Sequence, residues 1–234
     1  MLVMTWQAAA LLGFVAIAQG SQSVGISDEP YHHLLLQNSV VRVFTVEVPP
    51  LKSTLPIRRD HNGVIIYLGD SAAVSTVEGY GPLTIMHYDG EVARFDAGKT
   101  VTEKNDDGVK PYRNITVEVL KRFAGWSYDA VKGEFNYPPA QLSPPLGLDA
   151  SSTQLLDMRG VIAARIQIAP ADSYTVRTHS AALLVALSEL ELKTDQEGRK
   201  VEKQPGEVEW FANGLPAKLT NAGMKPARMA VLEF

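Results

Sequence analysis

Gly90-Glu91-Val92-Ala93-Arg94-Phe95-Asp96-Ala97-Gly98, read on through Val101 to Asn105, returns as Gly206-Glu207-Val208-Glu209-Trp210-Phe211-Ala212-Asn213-Gly214, read on through Ala217 to Asn221. Two glycines and an asparagine keep one spacing in both stretches. Gly and Asn tolerate the positive φ that tight turns require, so the match has a structural reason. An internal repeat governs everything read after it, because each copy must be the same unit of fold.

The repeat extends outward. Val46-Glu47-Val48-Pro49-Pro50-Leu51-Lys52-Ser53 aligns with Ile166-Gln167-Ile168-Ala169-Pro170-Ala171-Asp172-Ser173, and Val64 to Leu68 is placed on Leu184 to Ser188 in the same register. Phe44, Val46 and Val48 alternate with Thr45 and Glu47, as Ala164, Ile166 and Ile168 do with Arg165 and Gln167, which is the period of half-buried strands. The tails Pro111-Tyr112-Arg113 and Pro226-Ala227-Arg228 agree as well. Between the copies, residues 123–152 are dense in Pro, Gly and Ser, with Tyr137-Pro138-Pro139 and Ser143-Pro144-Pro145, and are read as a semi-rigid interdomain linker. Trp126, Tyr128, Phe135 and Tyr137 are expected to anchor it by packing. The mixed charges of Lys193 to Glu209 predict an exposed hairpin loop.

The 234 residues carry a formal charge of -4 and a sequence pI near 5.8. No basic footprint exists for phosphates, so no nucleic-acid partner is expected. The absence of Cys excludes disulfides, thiolate metal sites and Cys nucleophiles. From Leu2 to Ala18 there is no charged residue; the apolar run Ala8 to Ala18 ends in Ala16-Ile17-Ala18 and is followed by Gln19-Gly20-Ser21-Gln22. Residues 1–22 are read as a signal peptide and short polar segment, too short for a comfortable membrane span. The only positive charge ahead of the run is the terminal amine, so an uncleaved anchor or a buried amino-terminal segment are the alternatives. Export to a bacterial periplasm or beyond follows, with no membrane association after signal removal.

The Gly, Gly, Asn spacing resembles the second cupin motif, G-x5-P-x-G-x2-H-x3-N, found here twice. The chain thereby resembles the two-domain cupins, which implies an all-β fold of two tandem jelly-roll barrels, 28–122 and 153–234. The resemblance also implies metal ligands, and of those eight places only His179 keeps one. The motif's His falls at Val101 and Ala217, and its Pro at Asp96 and Ala212. The first cupin motif, H-x-H-x3,4-E, maps its paired His to Ile57 and Arg59 in copy one and to Arg177 and His179 in copy two. Its Glu maps to Gly63 or Val64, and to Leu183 or Leu184. One His cannot supply a metal shell, so no metal and no other cofactor is expected.

Alternate residues of a strand share a face, so Ile57, Arg59 and His61 are expected to point into the first barrel and Arg177 with His179 into the second. Arg59, His61, Arg177 and His179 are therefore the candidate ligand-binding residues, suited to a small anion because guanidinium pairs bidentately with carboxylate or phosphate. The alternative is that the arginines pair with carboxylates such as Asp60, Glu103 or Glu118. His32, His33 and the isolated His87 are given no role. No phosphate loop, nucleophile elbow or HExxH helix is present. The expected function is an exported, non-catalytic bicupin-like protein that binds a small, anionic ligand or serves a structural role, with a homodimer open. The alternatives are a cupin oxygenase or isomerase with an atypical site at His61 and His179, a metal-free isomerase or lyase, and an interaction module whose cavity is filled by Ile57, Val101, Leu183 and Ala217.

Overall fold

The computed structural model describes residues 22–120, 127–129, 134–136, 152–158, 161–175, 180–196 and 199–234. Among them every regular element is a strand, apart from one 3-10 turn at Ile26–Asp28. The first barrel comprises β1 (Val24–Gly25), β2 (His32–Gln37), β3 (Val41–Val48), β4 (Ile57–Arg58), β5 (Gly63–Tyr67), β6 (Ser71–Val77), β7 (Leu83–His87), β8 (Val92–Phe95), β9 (Thr100–Asn105) and β10 (Tyr112–Val119). They form two five-stranded sheets, β1-β4-β9-β6-β7 and β2-β3-β10-β5-β8. A hairpin of β11 (Ser127–Asp129) and β12 (Glu134–Asn136) lies within the segment read as linker.

The second barrel comprises β13 (Ser152–Met158), β14 (Val161–Ile168), β15 (Ser173–Thr175), β16 (Ala182–Ala186), β17 (Leu190–Thr194), β18 (Lys200–Lys203), β19 (Val208–Phe211), β20 (Lys218–Asn221) and β21 (Ala227–Glu233). Its sheets, β13-β14-β21-β16-β19 and β15-β20-β17-β18, repeat the strand order of the first. The first barrel also begins before residue 28, because β1 pairs in parallel with β4. The stretch read as a loop from Lys193 contains strands: β17 and β18 form a regular antiparallel pair.

The repeat is real, but its register is not uniform. Arg113 pairs with Glu47 and Arg228 with Gln167, which sets Val46 against Ile166 as the sequence reading had it. Asn114 then pairs with Tyr67 whereas Met229 pairs with Ala186, so Val64 to Leu68 correspond to Leu183 to Leu187. One residue has been lost between Thr175 and Ala182. A one-residue slip exchanges the two faces of a strand, so Leu184 points into the second barrel while Leu183 does not.

That exchange matters because the two barrels pack face to face. β5 and β16 are buried at every position, since each has its own barrel on one side and the neighbouring barrel on the other. Val43, Val64 and Val117 of the first barrel share one core with Leu183, Val185 and Leu232 of the second. Each fully buried aliphatic side chain of this kind stabilises by about 1.5–3 kcal/mol relative to exposure. The joint is closed at its rims by equivalent turns. Gly90 and Gly206 both have positive φ, and a Cβ on either would press on a leucine of the opposite barrel, Leu187 and Leu68. Arg228 Nη2 also reaches Asp89 Oδ2 across the joint at 2.6 Å.

The asparagine of the repeated motif closes each barrel corner. Asn105 Nδ2 donates to Val48 O (3.0 Å) and Lys110 O (2.8 Å), and its Oδ1 accepts from Asp107 N (2.9 Å). Asn221 repeats all three: Nδ2 donates to Ile168 O (3.0 Å) and Lys225 O (2.7 Å), and Oδ1 accepts from Gly223 N (2.9 Å). Both side chains are buried, so no water can replace a lost partner. Asn105→Ala and Asn221→Ala are each expected to lower unfolding free energy in urea by about 2–3 kcal/mol. Asn105→Asp and Asn221→Asp, which keep the shape but lose both donors, should be no milder.

Candidate functional site

The interior of the first barrel holds a polar cavity of about 20 Å³, lined by Arg59, Glu103, Thr54, His32, Asn114 and Thr116 together with apolar neighbours. Such a volume admits roughly one water. β4 ends at Arg58, and the backbone of Arg59 is held to the start of β9 by Arg59 N to Lys99 O and Gly98 N to Arg59 O, at 2.9 and 2.8 Å. Gly98, at φ 78°, makes that return turn. The side chain of Arg59 then turns inward, 12% exposed, with its guanidinium carbon 4.2 Å from the centroid of the Phe95 ring.

Glu103 faces it from β9. The nearest approach, Arg59 Nη2 to Glu103 Oε1, is 3.8 Å, an ion pair without a direct hydrogen bond, while Ser75 Oγ donates to the same oxygen at 3.1 Å. Burial raises the proton affinity of Glu103 above that of an ordinary carboxylate, against the opposing pull of Arg59, and burial likewise lowers the pKa of Arg59. Tyr67 and Tyr112 are hydrogen-bonded to one another beside this pair, and burial pushes both phenols up. Behind Tyr67, His87 stacks on its ring at 3.7 Å between centroids. Its pKa is lowered by burial, and its Nδ1 lies 3.6 Å from Glu91 Oε2.

The cavity is covered from the amino-terminal side. β1 and the turn after it put Ile26 against Phe44 and Ile57. Glu29 is 2% exposed and accepts from Tyr31 N (2.8 Å) and Leu55 N (3.3 Å), and it pairs with His32 Nδ1 at 2.6 Å. Burial alone would raise the Glu29 carboxyl; the bonds from His32 and the backbone hold it below its usual value.

Solved structures share this architecture. A cupin 2 conserved barrel domain protein from Leptotrichia buccalis matches with a TM-score of 0.53 at 12% identity, over 88% of this chain and 89% of that one. An oxalate decarboxylase from Lactobacillus farciminis, solved as a formate complex, matches at 0.59 and 11% identity over 86% and 83%. A vicilin from Solanum melongena matches at 0.56 and 12% over 82% and 73%. The chain has the cupin fold. No family model matches it, and no curated protein matches it by sequence. Identities this low speak for the fold alone.

The cupin metal places do not fit a metal in the first barrel. Ile57 pairs with Val101, and both are buried hydrocarbon. A side chain at Gly63 would collide with the Val117 carbonyl and the Phe95 ring, and Val64 faces the other barrel. Among the described residues no three His, Cys, Asp or Glu side chains converge. His61 does not join Arg59: beyond β4 the strand ends, and His61 sits by Asp60 and Glu118 instead. There, Arg42 Nη2 lies 2.6 Å from the buried Glu118 but poorly aligned for a hydrogen bond. Arg58, not Arg59, pairs with Asp60. Arg177, His179 and the proposed linker anchors fall outside the residues whose side chains are described. Of the side chains expected to fill an apolar cavity, Leu183 lies in the joint between barrels and Ala217 is exposed.

Sequence reasoning missed Tyr67, Tyr112 and His87, and underrated His32. The signal that marks the site is a difference between the copies. Glu103 corresponds to Leu219, Asn114 to Met229 and Thr116 to Val231, all apolar in the core of the second barrel. At these three positions the second barrel has hydrocarbon, and the first keeps polar groups at the same backbone positions. A carboxyl with a raised pKa binds its proton more tightly folded than unfolded, so its contribution to stability is present at acid pH and is lost as pH rises from the usual Glu value through the raised one. Glu103→Gln is therefore expected to flatten the fall in stability on the alkaline side of the ordinary Glu range, measured by urea unfolding across pH.

Proposed function

We propose that this is a non-catalytic two-barrel cupin-fold protein in which the second barrel is structural and the first binds the anionic group of a small ligand at Arg59. The observation that carries the reading is the divergence between copies: a guanidinium, a carboxylate and two amide or hydroxyl side chains stand in the first barrel where the second has hydrocarbon or no described counterpart. Keeping a charge in a barrel interior costs several kcal/mol unless partners repay it. Among the described residues, no side chain within hydrogen-bonding distance accepts from Arg59, and an oxyanion there supplies acceptors in the bidentate geometry guanidinium favours. The cavity as it stands holds about one water, so even the smallest carboxylate requires that water to leave and the cover at Ile26 to move aside.

The experiment is calorimetric titration of the protein with formate, acetate and phosphate. Formate is expected to bind, and Arg59→Gln is expected to abolish the heat while leaving the thermal unfolding transition cooperative. A protein that binds none of the three overturns the ligand reading and leaves two packed barrels in a structural role.

A metal-free enzyme is the second reading, favoured by the convergence of Glu103, Tyr67, Tyr112 and Arg59, which together offer a proton acceptor, donors and a positive charge. Consumption of a small carboxylate in the same titration, lost in Glu103→Gln, distinguishes it from simple binding.

Export is proposed on the amino-terminal run alone. The expected product in a bacterial periplasm is a chain beginning at Gln19, read by intact mass; a chain retaining Met1 in the membrane fraction favours the anchor instead.

A further inference from the structure

Residues 24–29 form one wall of the polar cavity and are tied to the barrel by little. β1 is two residues long and pairs with β4, itself two residues long, with Val24 N donating to Pro56 O at 2.9 Å ahead of it. The segment has one buried apolar side chain, Ile26, which packs in a cluster of three with Phe44 and Ile57. Ser27 Oγ meets Arg42 Nη1 only at 3.4 Å and in the open. The remaining tie is polar. The buried Glu29 carboxylate takes Leu55 N on one oxygen, at 3.3 Å, and Tyr31 N and His32 Nδ1 on the other, at 2.8 and 2.6 Å. Leu55 and His32 belong to the barrel wall, on the approach to β4 and at the start of β2. A carboxylate buried this far is stable only while its donors are in place, so these bonds are made and lost together. Ile26 and His32 both line the cavity, and the movement that frees Glu29 therefore also opens the way to Arg59. Tyr31 stays anchored, its carbonyl accepting from Glu47 N at 3.2 Å, which puts the turning point at Pro30.

We propose that residues 24–29 are a lid over the cavity, hinged at Pro30 and latched by the Glu29 carboxylate on His32 Nδ1 and Leu55 N. A segment held by few apolar contacts opens at a free energy below that of global unfolding. The latch sits at the far end of the segment from Val24, so opening is a single event and not a fraying from Val24 inward. Admission of an anion as the purpose of the opening rests on Arg59 being the ligand site; the opening itself does not.

Hydrogen exchange of the protein without ligand reads the lid directly. The amides of Val24, Tyr31 and Leu55 are expected to share one protection factor, about tenfold or more below that of β10. Leu55 is the telling amide in the unaltered protein, because it lies outside the lid and fraying of Val24 alone leaves it protected. Glu29→Ala is expected to speed exchange at Val24 about tenfold, although the partner of that amide, Pro56 O, is untouched, while β10 keeps its protection. Gly25→Cys with Arg58→Cys then sets two cysteines at paired positions of β1 and β4 in a chain that has no other, and a Cβ at Gly25 meets only the carboxylate end of Asp28. Oxidation fixes the lid shut. The oxidised protein is expected to lose the heat of formate binding and the reduced one to regain it. Unequal protection of Val24 and Leu55, exchange of both only at the rate of β10, or a Val24 amide indifferent to Glu29→Ala overturns the lid. Formate heat that survives in the oxidised protein, with the disulfide shown by mass, overturns its role as the way in. Where formate fails to bind the unaltered protein, the ligand site at Arg59 falls and the exchange rates alone decide the lid; should Glu29→Ala fail to fold, the comparison of Val24 with Leu55 decides it.

Discussion

A buried asparagine side chain with three backbone partners holds one corner of each barrel, and the geometry of the rest is referred to it. Asn105 joins the end of β3 to the turn that leads from β9 into β10, and Asn221 does the same for β14, β20 and β21. The neighbouring turns are demanding: Leu51 and Ala171, at φ 59° and 64°, take the left-handed conformation that costs a non-glycine residue of order 1 kcal/mol. The asparagine backbone bonds, Asn105 N to Lys52 O and Asn221 N to Asp172 O, pin those turns from the other side. With the corners fixed, β10 and β21 lie centrally in their sheets. One face of each then lines a barrel interior and the other forms the joint between barrels.

That two-sided burial explains how the copies came to differ. The centre of the joint is hydrocarbon: the faces of β5 and β10 that meet there are valine and isoleucine, and those of β16 and β21 leucine, valine and alanine. The interior faces are under a weaker rule, because a barrel can be closed either by packed hydrocarbon or by polar groups that satisfy one another. Among the described residues the second barrel takes the first course, with Leu184, Leu219 and Met229 in one cluster. The first takes the second course around Arg59 and Glu103, and their 3.8 Å separation is a weaker settlement than a direct hydrogen-bonded pair would be. A buried, loosely compensated charge pair is tolerable where an adjoining barrel and a shared apolar core contribute stability in excess.

The electrostatics of the first barrel follow from desolvation more than from partners. Glu103, Tyr67 and Tyr112 are all driven toward their neutral forms by burial, and Arg59 is the one Lys or Arg side chain that lines that cavity. His87 is driven the same way behind the Tyr67 ring. Field lines from Arg59 are thus answered by one carboxylate at a distance, a condition that a small oxyanion or an ordered water relieves.

The sequence by itself determined the repeat, the strand periods, the positive φ of Gly90, Gly98, Gly206 and Gly214, and the replacement of the cupin ligands, because those properties are local: turn sterics and side-chain alternation act over a few residues. It also placed Arg59 inside the first barrel. Only the tertiary structure decided where alternation stopped. His61 left the site because β4 ends at Arg58, and Leu183 passed from interior to joint because one residue is missing between Thr175 and Ala182. Tyr67, Tyr112 and His87 come from three different strands, and nothing in their spacing announces that they meet. A strand's two faces are fixed by its own sequence, but which face meets a cavity, a second barrel or water is fixed by closure of the sheets, a sum of pairings that lie far apart in the chain.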